Sequence, residues 1–354
     1  MWVYYLVILL NLYYITRISL FPKGERRDII ESRYLQIICI VLVLLAAFRS
    51  SSVGADTLGY VADYFSTVPQ LSFKEVFEKY GDYVGFYLFA KICTLIHLPL
   101  PIFFGLVEWL YIFAVYRFVC RFSSDRLYSI LGFTVIGLYS FSLAGLKQTM
   151  SMAFMLMSYT DLVDKRFLRA FLFGAFAFFC HKVSLIFMAG FAMYFMRHHR
   201  FYYVYLSVIV LVVLLGTKFV WTGLLSLLQN DHYSELYGGD DGYSSTTMIY
   251  YGVLLLLLLL FSGRYMYLRK DESRIMIGMS TLSFVLQAFS FVSSAAFRLS
   301  YFFLPFIIVA FPNCIETIKN SDLRRLVKVG VAMILIFFFI YTNRNGGYKF
   351  FWQT

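Results

Sequence analysis

The sequence predicts an all-α, polytopic membrane protein, and three observations carry that reading. Charged residues make up 14% of the 354-residue chain and hydrophobic ones 60%, whereas a soluble domain carries about 25% charge. Apolar runs such as 37–48, 250–261 and 331–340 follow one another nearly free of charge, as successive spanning helices do. Between the runs, Lys and Arg gather in short intervals, the pattern of positive-inside loops. Alternating polar and apolar strands are absent, which argues against a membrane β-barrel.

Taken in order, the apolar segments fall at roughly 2–20, 34–48, 83–98, 101–118, 127–143, 147–162, 167–180, 183–196, 201–216, 248–263, 275–292, 299–313 and 326–342. They predict about 12–13 transmembrane or re-entrant helices in a single transmembrane domain, 1–354. Several are shorter than the ~20 residues of an upright span, so tilted, broken or re-entrant helices are expected. The first twenty residues lack a basic n-region and a small-residue cleavage site, and predict a retained span. No internal repeat of the kind found in two-half transporters is visible.

The net charge of +11 belongs to the loops and does not indicate a nucleic-acid partner. The five cysteines, Cys39, Cys93, Cys120, Cys180 and Cys314, lie in or beside apolar segments with no CxxC pair. Neither a disulfide framework nor a zinc site is suggested. No HExxH or similar spacing occurs, so no metal and no cofactor is called for.

Six basic intervals, near 23–33, 117–126, 165–169, 197–200, 264–274 and 319–328, set the orientation when all are placed in the cytoplasm. Two apolar segments then separate each successive pair, except that three (34–48, 83–98 and 101–118) lie between the first two intervals. One of the three is therefore expected not to cross. The opposite face receives a first extracytoplasmic loop, 49–82, the 144–148 turn, the His181–Lys182 pair, a second extracytoplasmic loop, 217–247, and the 293–300 bend. Function is expected on that face.

The first loop carries a capping box, Ser72-Phe-Lys-Glu75, with Leu71 and Val76 as its staple. It predicts a short amphipathic helix with Val76, Phe77 and Tyr80 on one face. Asp56, in Val53-Gly-Ala-Asp-Thr57, is either an N-cap or a carboxylate able to serve as general base. Asp63 reads as a solvated partner. Arg49 opens the loop and either grips phosphate oxygens or snorkels to headgroups. Lys147 and Gln148 open a span, where a cation opposes the helix dipole and suits a bound anion better than stability. His181 stands between two apolar runs, as an interhelical hydrogen bonder or a proton carrier. Arg298 is a lone cation between apolar segments. Lys91 and Glu108, each inside an apolar segment, predict a buried mutual ion pair. The 238–242 Gly-Gly-Asp-Asp-Gly run reads as flexible and acidic. The 29 Tyr and 40 Phe suit interfacial belts and packing first.

Read together, these residues resemble the EpsG family of Wzy-like polysaccharide polymerases. The matching elements are Arg49 with Val53-Gly-Ala-Asp-Thr-Leu-Gly-Tyr60, Gly85-Phe86-Tyr87, Lys147-Gln148, Phe179-Cys-His-Lys-Val-Ser-Leu-Ile186, and Arg298 with Tyr301. Lys147 stands where the family has Arg, keeping the charge and losing the planar fork. The resemblance implies a GT-C-like arrangement with extracytoplasmic loops forming the site, in the bacterial cytoplasmic (inner) membrane. It implies transfer of a growing glycan from undecaprenyl pyrophosphate to a new lipid-linked repeat unit on the outer leaflet. Arg49, Lys147, Gln148 and Arg298 would meet the pyrophosphate, Asp56 or His181 would be the base or its orienter, and Tyr60 and Tyr301 would support sugar or loop. Partners would be the lipid-linked oligosaccharides, membrane lipid and a chain-length regulator. The rival readings are an O-antigen ligase, which shares lipid substrate and chemistry, a lipid-linked oligosaccharide flippase, and a membrane O-acyltransferase using His181.

Overall fold

The computed structural model describes residues 2–22, 24–228, 245–292, 296–343 and 347–353. It is all-α, as predicted, with no named strand among the described residues; Arg49 and Phe350 form an isolated bridge. The chain divides into two compact units, one of residues 1–184 and 331–354 and one of residues 185–330.

The first unit opens with α1 (Trp2–Ser19) and α2 (Glu25–Ala47). The first loop then folds into α3 (Thr57–Ala62), a π-turn and a 3₁₀ turn at 63–70, and α4 (Phe73–Lys79). In α4 the Ser72 hydroxyl accepts from the Glu75 amide and the Glu75 carboxylate accepts from the Ser72 amide, closing the capping box. Val76 is buried and Tyr80 half-buried, whereas Phe77 is exposed. The helix therefore docks through Val76 and Tyr80 and leaves Phe77 off the packed face.

Next come α5 (Val84–Leu95), α6 (Leu100–Phe122), α7 (Arg126–Val135), α8 (Leu138–Ser142), α9 (Leu146–Val163) and α10 (Phe167–Cys180). α9 is the axis of this unit and is buried along almost its whole length. Its small residues let α10 approach, and Ser151 and Ser158 donate to the carbonyls of Ala177 and Ala170, the interhelical hydrogen bonding that membrane bundles use.

α5 is one of several apolar helices too short to cross a membrane upright. Its 12 residues span about 18 Å, well short of the ~30 Å hydrocarbon layer. Both of its ends return to the first loop. Tyr87 near its start donates to Asp63, Lys91 donates to the Val68 and Pro69 carbonyls, and Tyr64 donates to Leu98 just beyond its end. A core of Tyr64, Val68, Val76, Phe86, Phe103 and Leu146 joins loop, α5, α6 and α9.

The Lys91–Glu108 ion pair expected from sequence does not form. Lys91 satisfies two loop carbonyls instead, and Glu108 accepts from the Ser142 hydroxyl at 2.8 Å. Two apolar segments can each hide one charge without turning those charges toward each other.

The tail after α17 (Ser321–Asn343) completes the first loop. The amides of Ser50 and Phe351 donate to the carbonyls of Lys349 and Phe48, and the Tyr348 hydroxyl donates to Leu45.

The second unit contains α11 (Met188–Met196), α12 (Tyr202–Leu215), α13 (Thr217–Leu228), α14 (Ser245–Leu268), α15 (Lys270–Leu286) and α16 (Leu304–Glu316). Within the interval 217–247, read as a loop, the first twelve residues are helical; the 238–242 run lies outside the described residues. α15 is the buried axis here. α12 exposes Val204, Val208, Leu211 and Leu215, a face suited to lipid. Among the described residues, four helices are long and apolar enough to cross a membrane, or up to five if the bent pair Ala296–Phe302 and Leu304–Glu316 is one span.

Candidate functional site

The site in the first unit is built on the turn before α9. Arg49 is 1% exposed, and its guanidinium donates to the Ala46 carbonyl at 2.6 Å and the Leu143 carbonyl at 3.2 Å. It also lies over the Phe104 ring, 4.0 Å from the centroid. The Thr57 hydroxyl reaches the same Leu143 carbonyl at 3.1 Å. Gly54, at φ +100°, lets the loop come so close that a Cβ there would sit 2.4 Å from the Leu143 oxygen. Three residues of the first loop thus converge on one carbonyl, four residues before Lys147. Glu108 and Arg49 are near enough to couple electrostatically.

Lys147 points into tyrosines. Its ammonium lies 3.8 Å from the ring centroid of Tyr83, 5.5 Å from that of Tyr60 and 5.7 Å from that of Tyr87. Ring faces attract a cation through their quadrupole, so the flexible lysine stem is held at the start of α9. The cage has its own supports. Tyr80 stacks on Tyr87 at 3.6 Å, and Asp63 accepts from both hydroxyls, at 3.2 and 2.7 Å. Burial, with the Asp63 carboxylate beside it, pushes the Tyr80 hydroxyl well above its ordinary range. Asp63 is thus a half-buried anchor rather than the solvated residue expected.

His181 meets the cage from the other side, its ring edge-on to Tyr83 at 5.1 Å. The Val183 amide donates to its Nδ1 at 3.3 Å, which puts the proton of the neutral ring on Nε2. Lys182 pairs with Asp82, the residue before Tyr83, and Gly85 admits the Phe179–Cys180 backbone, where a Cβ would stand 3.0 Å from the Phe179 carbonyl carbon. These contacts fasten the end of α10 to the start of α5.

Asp56 occupies the N-cap position of α3, half-buried, with no side-chain capping bond. Gln148 is buried. Arg49, Asp56, Tyr60, Lys147, Gln148 and His181 are therefore all parts of one unit; Arg49 is tied to the Leu143 turn, and Tyr60, Lys147 and His181 to the tyrosine cage. Arg298 and Tyr301 lie in the second unit, on the Ala296–Phe302 segment. That segment is held by Ser300, whose hydroxyl donates to Gln287 at 3.1 Å and whose carbonyl accepts from Ser283.

Sequence reasoning missed Tyr83 and Phe104, and met Tyr87 only within Gly85-Phe86-Tyr87, with no role assigned to it. The signal for Tyr83 was its place in the Tyr80-Gly-Asp-Tyr83 cluster, diluted among 29 tyrosines. Among the described residues, no group of three or more His, Cys, Asp or Glu could hold a metal ion.

The opposite end of the same helices is basic. Arg117 on α6, Arg166 just before α10 and Arg169 on α10 surround Asp161 near the end of α9. Lys147 and Asp161 are fourteen residues apart on α9, about 21 Å along its axis.

Comparison with known proteins gives one family match: the model of the EpsG family covers residues 32–353. No curated protein and no solved structure matches.

Proposed function

The chain belongs to the EpsG family, and from its general polysaccharide-polymerase-like role we propose a specific reaction. A growing glycan is transferred from undecaprenyl pyrophosphate to a lipid-linked repeat unit, on the outer leaflet of the bacterial inner membrane. The observation that carries this reading is the caged Lys147 at the start of α9, on the far end of the bundle from the arginines around Asp161. A fixed cation at a helix start suits an anion. The separation of the two ends supports the positive-inside orientation.

In this reaction the acceptor hydroxyl attacks the anomeric carbon and gives its proton to the Asp56 carboxylate. The bond from that carbon to the pyrophosphate oxygen breaks, and the departing charge is met by Lys147, with the Gln148 side chain as a further donor. His181, with its proton on Nε2, is a poor base; we assign it to holding Tyr83, and through Tyr83 the ammonium. Arg49 was expected at the pyrophosphate. Its two carbonyl bonds and its burial favour a positioning role on the Leu143 turn instead. Arg298 remains a phosphate-binding candidate in its own unit, with Tyr301 as its support. Tyr60 serves the cage. α5 is the segment we take not to cross.

The test is a gel of surface glycan from a strain lacking the gene, complemented with wild type or Lys147→Ala. Loss of the ladder with single repeats still displayed supports the polymerase. Full-length polymer left on its lipid would instead mean a ligase, and repeats trapped inside the cell a flippase.

A further inference from the structure

The basic end of the first unit concentrates more positive charge than its own carboxylates can satisfy. Asp161 is fully buried and has three guanidinia around it, Arg117 at 3.0 Å, Arg166 at 3.7 Å and Arg169 at 3.9 Å. Of these, only Arg117 makes a hydrogen bond to it, and the Oδ2 oxygen has no hydrogen-bond partner. One helical turn on, Arg121 pairs with Asp164 at 2.9 Å. Four guanidinia therefore face two carboxylates. Arg166 and Arg169, with side chains 50% and 60% exposed, keep their planar forks available to solvent. Like charges drawn this close repel one another, and a further anion between them would lower that energy. A phosphate oxygen pair fits a guanidinium fork in both geometry and charge.

The surroundings say which phosphate. Phe167, Leu168 and Phe171 on α10, interleaved with Arg169 and following Arg166 at the helix start, are all strongly exposed. Apolar side chains of that size, uncovered beside arginines at the end of a membrane helix, suit acyl chains. We propose that Arg166 and Arg169, with Arg117 and Arg121 behind them, bind the phosphate of an anionic phospholipid whose acyl chains lie along the exposed face of α10. This site stands apart from the lysine cage and does not depend on the reaction assigned to it.

The test uses the full-length protein purified in detergent and titrated separately with phosphatidylglycerol and phosphatidylcholine, bound lipid being counted by native mass spectrometry. Saturable binding of phosphatidylglycerol, tighter than phosphatidylcholine and weakened roughly tenfold or more in Arg166→Gln/Arg169→Gln, is expected. That variant leaves the Arg117–Asp161 pair intact, and an unchanged thermal unfolding midpoint marks it as folded. Equal affinity for the two lipids, or undiminished binding by the folded variant, overturns the proposal. Full displacement of the lipid by millimolar glycerol 3-phosphate would also overturn it, because the site would then read a free phosphate.

Discussion

Replacing Arg49 with alanine tests the positioning network most directly. The substitution removes two hydrogen bonds from a charged donor to the Ala46 and Leu143 carbonyls, each worth about 1.5–3 kcal/mol. It also leaves the buried Glu108 side chain without the attraction of a nearby cation, a stranded charge whose cost adds to that loss although no ion pair joins the two residues. A loss of about 3–5 kcal/mol is therefore expected for Arg49→Ala. If the stranded charge is a large part of that loss, Glu108→Gln added to Arg49→Ala should return about 1–2 kcal/mol. The double variant would then be more stable than the single one. Unfolding of the four proteins in one detergent, followed by circular dichroism, closes the cycle. A coupling energy within about 0.5 kcal/mol of zero would refute the link between Arg49 and Glu108.

Other perturbations probe the site and its supports. Lys147→Gln should abolish chain growth while the protein stays in the membrane, whereas Lys147→Arg, which keeps charge and ring contact, should retain part of the ladder. Tyr83→Phe should be close to wild type because the ring face is what meets the ammonium at 3.8 Å; Tyr83→Leu should shorten the glycan, by a cation–π term of about 0.5–2 kcal/mol. Gly54→Ala places a methyl within 2.4 Å of the Leu143 oxygen at a positive φ, and a lower unfolding midpoint with loss of activity is expected. The Ser72 amide, donating to Glu75, holds that carboxyl below its ordinary range. Its stabilisation is therefore present above the ordinary glutamate pKa and is lost as pH falls through the folded value. Hydrogen exchange at the Ser72 amide should accelerate there relative to the base-line pH trend, and Glu75→Gln should flatten the difference.

Hydropathy made the helical membrane class legible, because lipid demands internally satisfied backbone whatever the side chains do. The capping box was legible too, since both of its bonds join residues three apart. What sequence could not show was which face of one apolar segment meets which face of another. Lys91 and Glu108 were therefore matched to each other, while the structure gives them loop carbonyls and Ser142. Arg49 stood out as a loop-opening cation, but its burial depends on Phe104 and Leu143, far along the chain. Lys147 was found from its conflict with the helix dipole; its cage was not, because tyrosines in a membrane protein are too common to signal contact. Asp56 kept the cap position without the capping bond.

The contact between the tail and the first loop also sets an order of events during biosynthesis. Tyr348 meets Leu45 across a separation of 303 residues, and Lys349 receives the Ser50 amide. At about 5–20 residues per second, the ribosome needs roughly 15–60 s to make that intervening chain. Throughout that interval the segment around Arg49 has entered the membrane without the backbone partners that finish it. The loop at the centre of the proposed chemistry is thus among the last parts of its unit to close.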